Sequence, residues 1–171
     1  MKKLLIFVLF LTFFGCNSID KNRQTLNNFN CPLVFFSSED RVFIDNIDGS
    51  TSFDDVSLKA ELNNFAFTET CYQQNEIAVI ELDLLIITKP MNNLQNPNIS
   101  MPIYVILLNQ NDEILETQYF MLSGSIKKNS QTKAFEETDI IDTLKIITNN
   151  LQTKQLVVGF MLEKKKRSFL N

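Results

Sequence analysis

The chain has no histidine and no tryptophan, and only four glycines and four prolines in 171 residues. Without histidine it lacks the commonest metal ligand and the side chain best suited to move protons near neutral pH. No serine or cysteine can then be activated by an imidazole base, and there is no Gly-x-Ser-x-Gly nucleophile elbow. Four glycines make no glycine-rich phosphate loop, and the missing tryptophans remove the usual stacking platform for sugars. Basic excess is absent too, with 16 Lys and Arg against 20 Asp and Glu. An acidic body without a clustered basic surface is not a nucleic-acid binder. The sequence therefore predicts no catalytic residues and no cofactor.

What the chain does have begins at Met1. Lys2 and Lys3 precede the apolar run Leu4–Phe14, in which Thr12 is the one polar residue. A basic start and an apolar core of this length make a secretory signal. The run is too short for a membrane span, which needs roughly 20 residues. Phe13-Phe14-Gly15-Cys16 resembles the lipobox of bacterial lipoproteins, although Phe13 replaces the usual Leu and Phe14 the usual small residue. That resemblance implies diacylation of Cys16, with palmitate-type chains, and cleavage before it. Each buried methylene is worth about 0.8 kcal/mol, so two or three acyl chains hold a protein on a membrane durably. Cleavage leaves 156 residues with 14 basic and 20 acidic side chains, a net charge of −6. Asn17 is not the Asp that favours inner-membrane retention, which points to the outer membrane facing the periplasm.

The chain then divides into a signal peptide at 1–15, a polar, Asn-rich flexible tether at 16–30 and one folded domain at 31–171. One core is expected for a domain of this size. Pro32–Phe36, Arg41–Ile44 and the alternating Val56–Leu62 read as strands, with Phe65 and Phe67 continuing the last. Ile77–Thr88 is the strongest strand, with Ala78, Ile80, Leu82, Leu84 and Ile86 facing inward and Glu81 and Asp83 outward. Ile103–Leu108 and Ile114–Leu122 flank a hairpin turn at Asn109–Asp112. Ser123-Gly124-Ser125 reads as a turn. Thr132–Ile141 reads as a strand, and Asp142–Gln152 stays open because Ile140, Leu144, Ile147 and Leu151 also fit helical spacing. Gln155–Leu162 closes the set. Seven to nine short antiparallel strands with polar turns predict an all-β, immunoglobulin-like or fibronectin-III-like sandwich.

With Cys16 acylated, Cys31 and Cys71 remain as an even pair in an oxidising compartment, which predicts a disulfide. Closing a loop of about 40 residues would contribute roughly 4 kcal/mol on the chain-entropy model.

Three clusters carry possible chemistry. Asp45–Phe53 (DNIDGSTSF) resembles the metal-binding signature of the inositol monophosphatase family, which implies magnesium on Asp45 and Asp48. Asn46 stands where that signature has Pro, and the 29 residues from Cys16 to Ile44 leave no room for that family's body. A calcium loop of Asp45, Asp48, Asp54 and Asp55 is the other cation reading, although Gly49 is misplaced for an EF-hand. The default for the segment is a surface turn. Glu81 and Asp83 share a strand face and could pair as acid and base, but alternating acids more often mark a wet sheet face. Lys164–Arg167 (KKKR) reads as a solvated terminal turn, with Phe169 and Leu170 folding back, or as a contact for anionic headgroups or cell-wall polymer.

Taken together, Cys31-Pro32, Asp54-Asp55-Val56, Cys71-Tyr72, Tyr104-Val105, Val158-Gly159-Phe160 and the closing Phe169-Leu170-Asn171 resemble a group of uncharacterised Gram-negative envelope lipoproteins. The resemblance implies a lipidated, disulfide-stapled β-sandwich without catalytic residues to carry over. The expected role is a structural or protein-binding module, held to the membrane by lipid and facing an envelope protein or cell-wall partner through Asp45–Ser52 or Met91–Asn98. The alternative is a small metal-dependent hydrolase or metal-binding module around Asp45 and Asp48.

Overall fold

The structure is a computed structural model that describes residues 27–46, 52–91, 94–167 and 170. The signal and lipobox, including Cys16, lie outside the described residues, as do Asp48 and Phe169. The described residues form ten strands: β1 (Asn27–Asn28), β2 (Leu33–Phe36), β3 (Val42–Asn46), β4 (Val56–Phe67), β5 (Tyr72–Gln74), β6 (Ile77–Pro90), β7 (Asn98–Leu108), β8 (Ile114–Ser125), β9 (Thr138–Thr148) and β10 (Gln155–Phe160). A four-residue helix, α1 (Lys164–Arg167), follows.

Two sheets make the expected all-β sandwich. In the first, β6 pairs along one edge with β9 and along the other with β4, which pairs with β3. The short β5 takes the end of that second edge and carries β1. The second sheet runs β2-β10-β7-β8. Alternate residues of both sheets fill one core: Ile80, Leu82, Leu84 and Ile86 from β6 meet Met101, Ile103, Val105 and Leu107 from β7. The inward set expected for β6 is fully buried, because period-two alternation puts every second side chain on one face.

Several details differ from the sequence reading. The long strands carry 11 to 14 residues rather than being short. The pairing is antiparallel except for β2, which lies parallel to β10. Immunoglobulin constant domains keep their last two strands in one sheet; here β9 and β10 lie in opposite sheets. The expected tether also ends early: Asn27 and Asn28 pair with Gln73 and Tyr72, and Phe29 is buried in the core.

The segment 98–102 continues β7 because Ile99 and Met101 keep the alternation. Pro102 is tolerated there: its carbonyl accepts from Met161 N at 2.8 Å, so its missing N–H faces the point where β10 ends. Ser123-Gly124-Ser125 is strand, not turn. A Cβ at Gly124 would overlap Ile140 Cδ1, so the glycine is there for close approach between the sheets.

Residues 132–136 are not strand. The carboxamide oxygen of Asn129 accepts from Gln131 N at 2.8 Å and Thr132 N at 2.9 Å, closing a tight turn with Lys133 at φ 61°. The strand instead fills 138–148. Thr138, Ile140, Leu144, Ile146 and Thr148 are buried, while Ile141 and Ile147 are exposed, so period two overrides the helical spacing.

Cys31 and Cys71 form a disulfide with Cα atoms 5.2 Å apart. It joins the segment before β2 to the segment before β5, and so ties the N-terminal entry of the fold to both sheets.

Candidate functional site

The Asp45 region lies at one end of the sandwich, where β3 of one sheet approaches β7 of the other. Two clefts open there, of about 380 and 420 Å³, and Phe43, Asp45 and Ser100 line both. Asp45 divides them, but its carboxylate is not free. Oδ1 pairs with Lys166 Nζ at 2.8 Å and accepts from Asn46 N at 3.1 Å. No group of three or more acidic or cysteine side chains able to hold a metal exists among the described residues. Ser52 opens a 3-10 turn that leads through Phe53–Asp55 into β4, so this part of the motif delivers a strand rather than a helix N-terminus.

Glu81 and Asp83 sit together on the outer face of β6, and β9 engages each separately. Lys145 Nζ donates to Glu81 Oε1 at 2.7 Å, and Thr143 Oγ1 donates to Asp83 Oδ1 at 2.5 Å. The Glu81 contact raises the Lys145 pKa. Both are cross-strand ties of a charged, wet sheet face that also carries Arg41–Glu61.

The basic run is not a solvated turn. In α1, Lys166 reaches Asp45 and lies 6.0 Å over the Phe43 ring, and Arg167 Nη2 stands 2.7 Å from Asp40 Oδ1. Two of its four cations are thereby spent on holding the C-terminus to the β2–β3 side of the body. Leu170 is half-buried behind them.

Sequence reasoning missed what Arg167 meets. Asp40 is buried in the loop between β2 and β3. Tyr104 donates its hydroxyl to Asp40 Oδ2 at 2.7 Å, while Oδ1 has no aligned hydrogen bond and is compensated by the guanidinium. Burial pushes the Tyr104 hydroxyl above its ordinary value; its Ser37 hydrogen bond works against this and Asp40 adds to it. The one available signal was Gly159, which pairs with Tyr104 and leaves room for its ring.

A second missed network centres on Glu116. Its carboxylate accepts from Thr148 Oγ1 at 2.7 Å, Gln118 Nε2 at 2.8 Å and Asn150 Nδ2 at 3.0 Å, linking β8 to the end of β9. Burial raises its pKa, but the three hydrogen bonds outweigh that and hold it below the usual value.

The largest uncommitted feature is the outer face of β2-β10-β7-β8. Its cross-strand rows are Leu33, Gln155, Leu108 and Ile114; Phe35, Val157, Ile106 and Thr117; then Gly159, Tyr104 and Tyr119. Pro102 and Met121 follow, with Met161 beside them. No position in these rows is Asp, Glu, Lys or Arg. Six of the ten large apolar side chains left exposed among the described residues stand here, led by Ile114 at 67% and Tyr119 at 66%. The outer face of the other sheet is charged.

Comparison with family models, curated proteins and solved structures finds no match for the chain.

Proposed function

We propose that this chain is a lipid-anchored protein of the bacterial cell envelope, held at Cys16, whose sandwich serves as a non-catalytic protein-binding module. The observation that carries the binding role is the outer face of β2-β10-β7-β8, whose strand rows hold no charged residue. An exposed apolar patch of this extent on a small body marks an interaction surface, because isolated monomers keep such patches small. The end loops, Asp45–Ser52 and Met91–Asn98, are secondary surfaces, since Asp45 is already paired with Lys166. The lipid reading rests on the basic start, the apolar run and Gly15-Cys16. The expected location is the outer membrane, with the sandwich in the periplasm.

A photo-crosslinking amino acid in place of Tyr119, introduced in intact cells, tests the binding role. The reading expects a discrete protein adduct from position 119 and none from position 141 on the opposite face. Equal or absent adducts at both positions would remove it. Incorporation of labelled palmitate that disappears in Cys16→Ser tests the anchor, and a label that persists in that variant would contradict it.

A further inference from the structure

We infer that the partner on the β2-β10-β7-β8 face is a second copy of this chain, seated face to face across a two-fold axis. The inference rests on the protein-binding reading and names its partner. Three properties of the face lead there.

The first is charge. The mature body carries a net charge of −6, so two copies repel through most of their surfaces. The four-stranded face has no charged residue in its strand rows, and the charges that stand beside Tyr104, Asp40 and Arg167, pair with each other at 2.7 Å. A partner recognised by charge would use the other outer face, where Glu81, Asp83, Lys145, Arg41 and Glu61 stand. An uncharged surface suits this face, and the chain itself supplies one.

The second is size. Strands of 4, 6, 11 and 12 residues, about 4.8 Å apart and rising about 3.4 Å per residue, give a face of roughly 540 Å². Two copies then cover about 1,100 Å² in projection, before the relief of the side chains is counted. Specific interfaces begin at about 1,000 Å². An isologous contact uses the same patch on both copies, with residue i of one meeting residue j of the other and the reverse, so complementarity needs no second gene product.

The third is shape. Tyr104 lies at the centre of the face, and a Cβ on Gly159 would stand 2.6 Å from its Cζ and hydroxyl. The ring therefore lies over the glycine and turns its hydroxyl to Asp40. The Tyr104 ring thus lies along the sheet at Gly159, and stacked sheets pack about 10 Å apart.

The test uses the full chain in cells, with two differently tagged copies both carrying Tyr119→Cys. A homobifunctional maleimide whose spacer reaches across the face, about 19 Å for four strands, is expected to give a product of twice the chain mass that bears both tags. Adding Met121→Glu should lower its yield at least tenfold, and so should Thr117→Glu at an already polar position of the same face. Ile141→Glu on the opposite face should leave the yield unchanged, with the Cys31–Cys71 disulfide intact in every variant. An adduct with a different protein instead overturns self-association and leaves the binding reading standing. A Tyr119→Cys thiol that joins no protein overturns both, whether water-soluble maleimide labels it or a lipid surface shields it.

Discussion

The hydroxyl of Tyr104 donates to Oδ2 of Asp40 at 2.7 Å, across the space left by Gly159. The three residues come from β7, the loop after β2, and β10, so one contact fixes three segments together. Adding a methyl group at 159 forces the Tyr104 ring away and breaks the hydrogen bond. Gly159→Ala should destabilise the chain by about 2–4 kcal/mol, combining overpacking with a lost charged hydrogen bond. Tyr104→Phe alone should cost about 1–2 kcal/mol. Because both changes break the same bond, the double variant should lose less than the sum. Urea unfolding of the four proteins checks this, and strict additivity would mean that the ring does not depend on the glycine.

Arg167 and Lys166 both form ion pairs, at 2.7 and 2.8 Å, yet they should not contribute equally. The Asp40 side chain is 8% exposed and that of Asp45 is 50% exposed. Stripping the partner from a buried charge is costly, and water reaching the half-exposed Arg167 site discounts that to about 2 kcal/mol for Arg167→Met. Lys166→Met should cost well under 1 kcal/mol, as exposed pairs do. Denaturant midpoints for the two variants decide it; equal losses would contradict the burial argument.

Glu116 gives the fold an acid-sensitive tie. Its folded pKa is below the ordinary 4.5, so its stabilisation is present above that value and is lost as pH falls through the folded pKa. Glu116→Gln should therefore be less stable than the native chain at pH 7, by about 1 kcal/mol. The gap should close as the pH is lowered below 4.5. Thermal unfolding of both proteins from pH 7 to pH 3 measures it, and a gap that stays constant would refute the role of the carboxylate.

Most strands were legible because their alternation is uninterrupted. Ala78 to Ile86 and Val56 to Leu62 carry their inward faces in the sequence, and the core follows from them. Where the reading failed, another rule had won. Asn129 closes a turn with its side chain, which moved β9 six residues along the chain from the expected start at Thr132. Gly124 looked like a turn residue but answers a steric demand from Ile140 in the other sheet. Such demands are not local, and periodicity cannot show them.

The candidate sites divide in the same way. The pairing of Cys31 with Cys71 followed from counting cysteines and is present. Asp45 lies in β3 and its partner Lys166 is 121 residues away, so its engagement was invisible. The uncharged outer face was hidden for a related reason. Its rows draw residues from strands far apart in the chain, two of them from all four strands, and the parallel β2–β10 pairing that joins them has no sequence signal.

The central claim is that this outer face is covered when the protein works. Four methionines report on it: Met121 and Met161 on the face, Met91 exposed elsewhere and Met101 buried in the core. Brief oxidation by hydrogen peroxide, read as sulfoxide by mass spectrometry, compares intact cells with the dilute isolated chain. Met121 and Met161 should be several-fold less oxidised in cells, with Met91 modified equally in both settings and Met101 in neither. Equal oxidation of Met121 in both would show the face to be bare and would contradict the account.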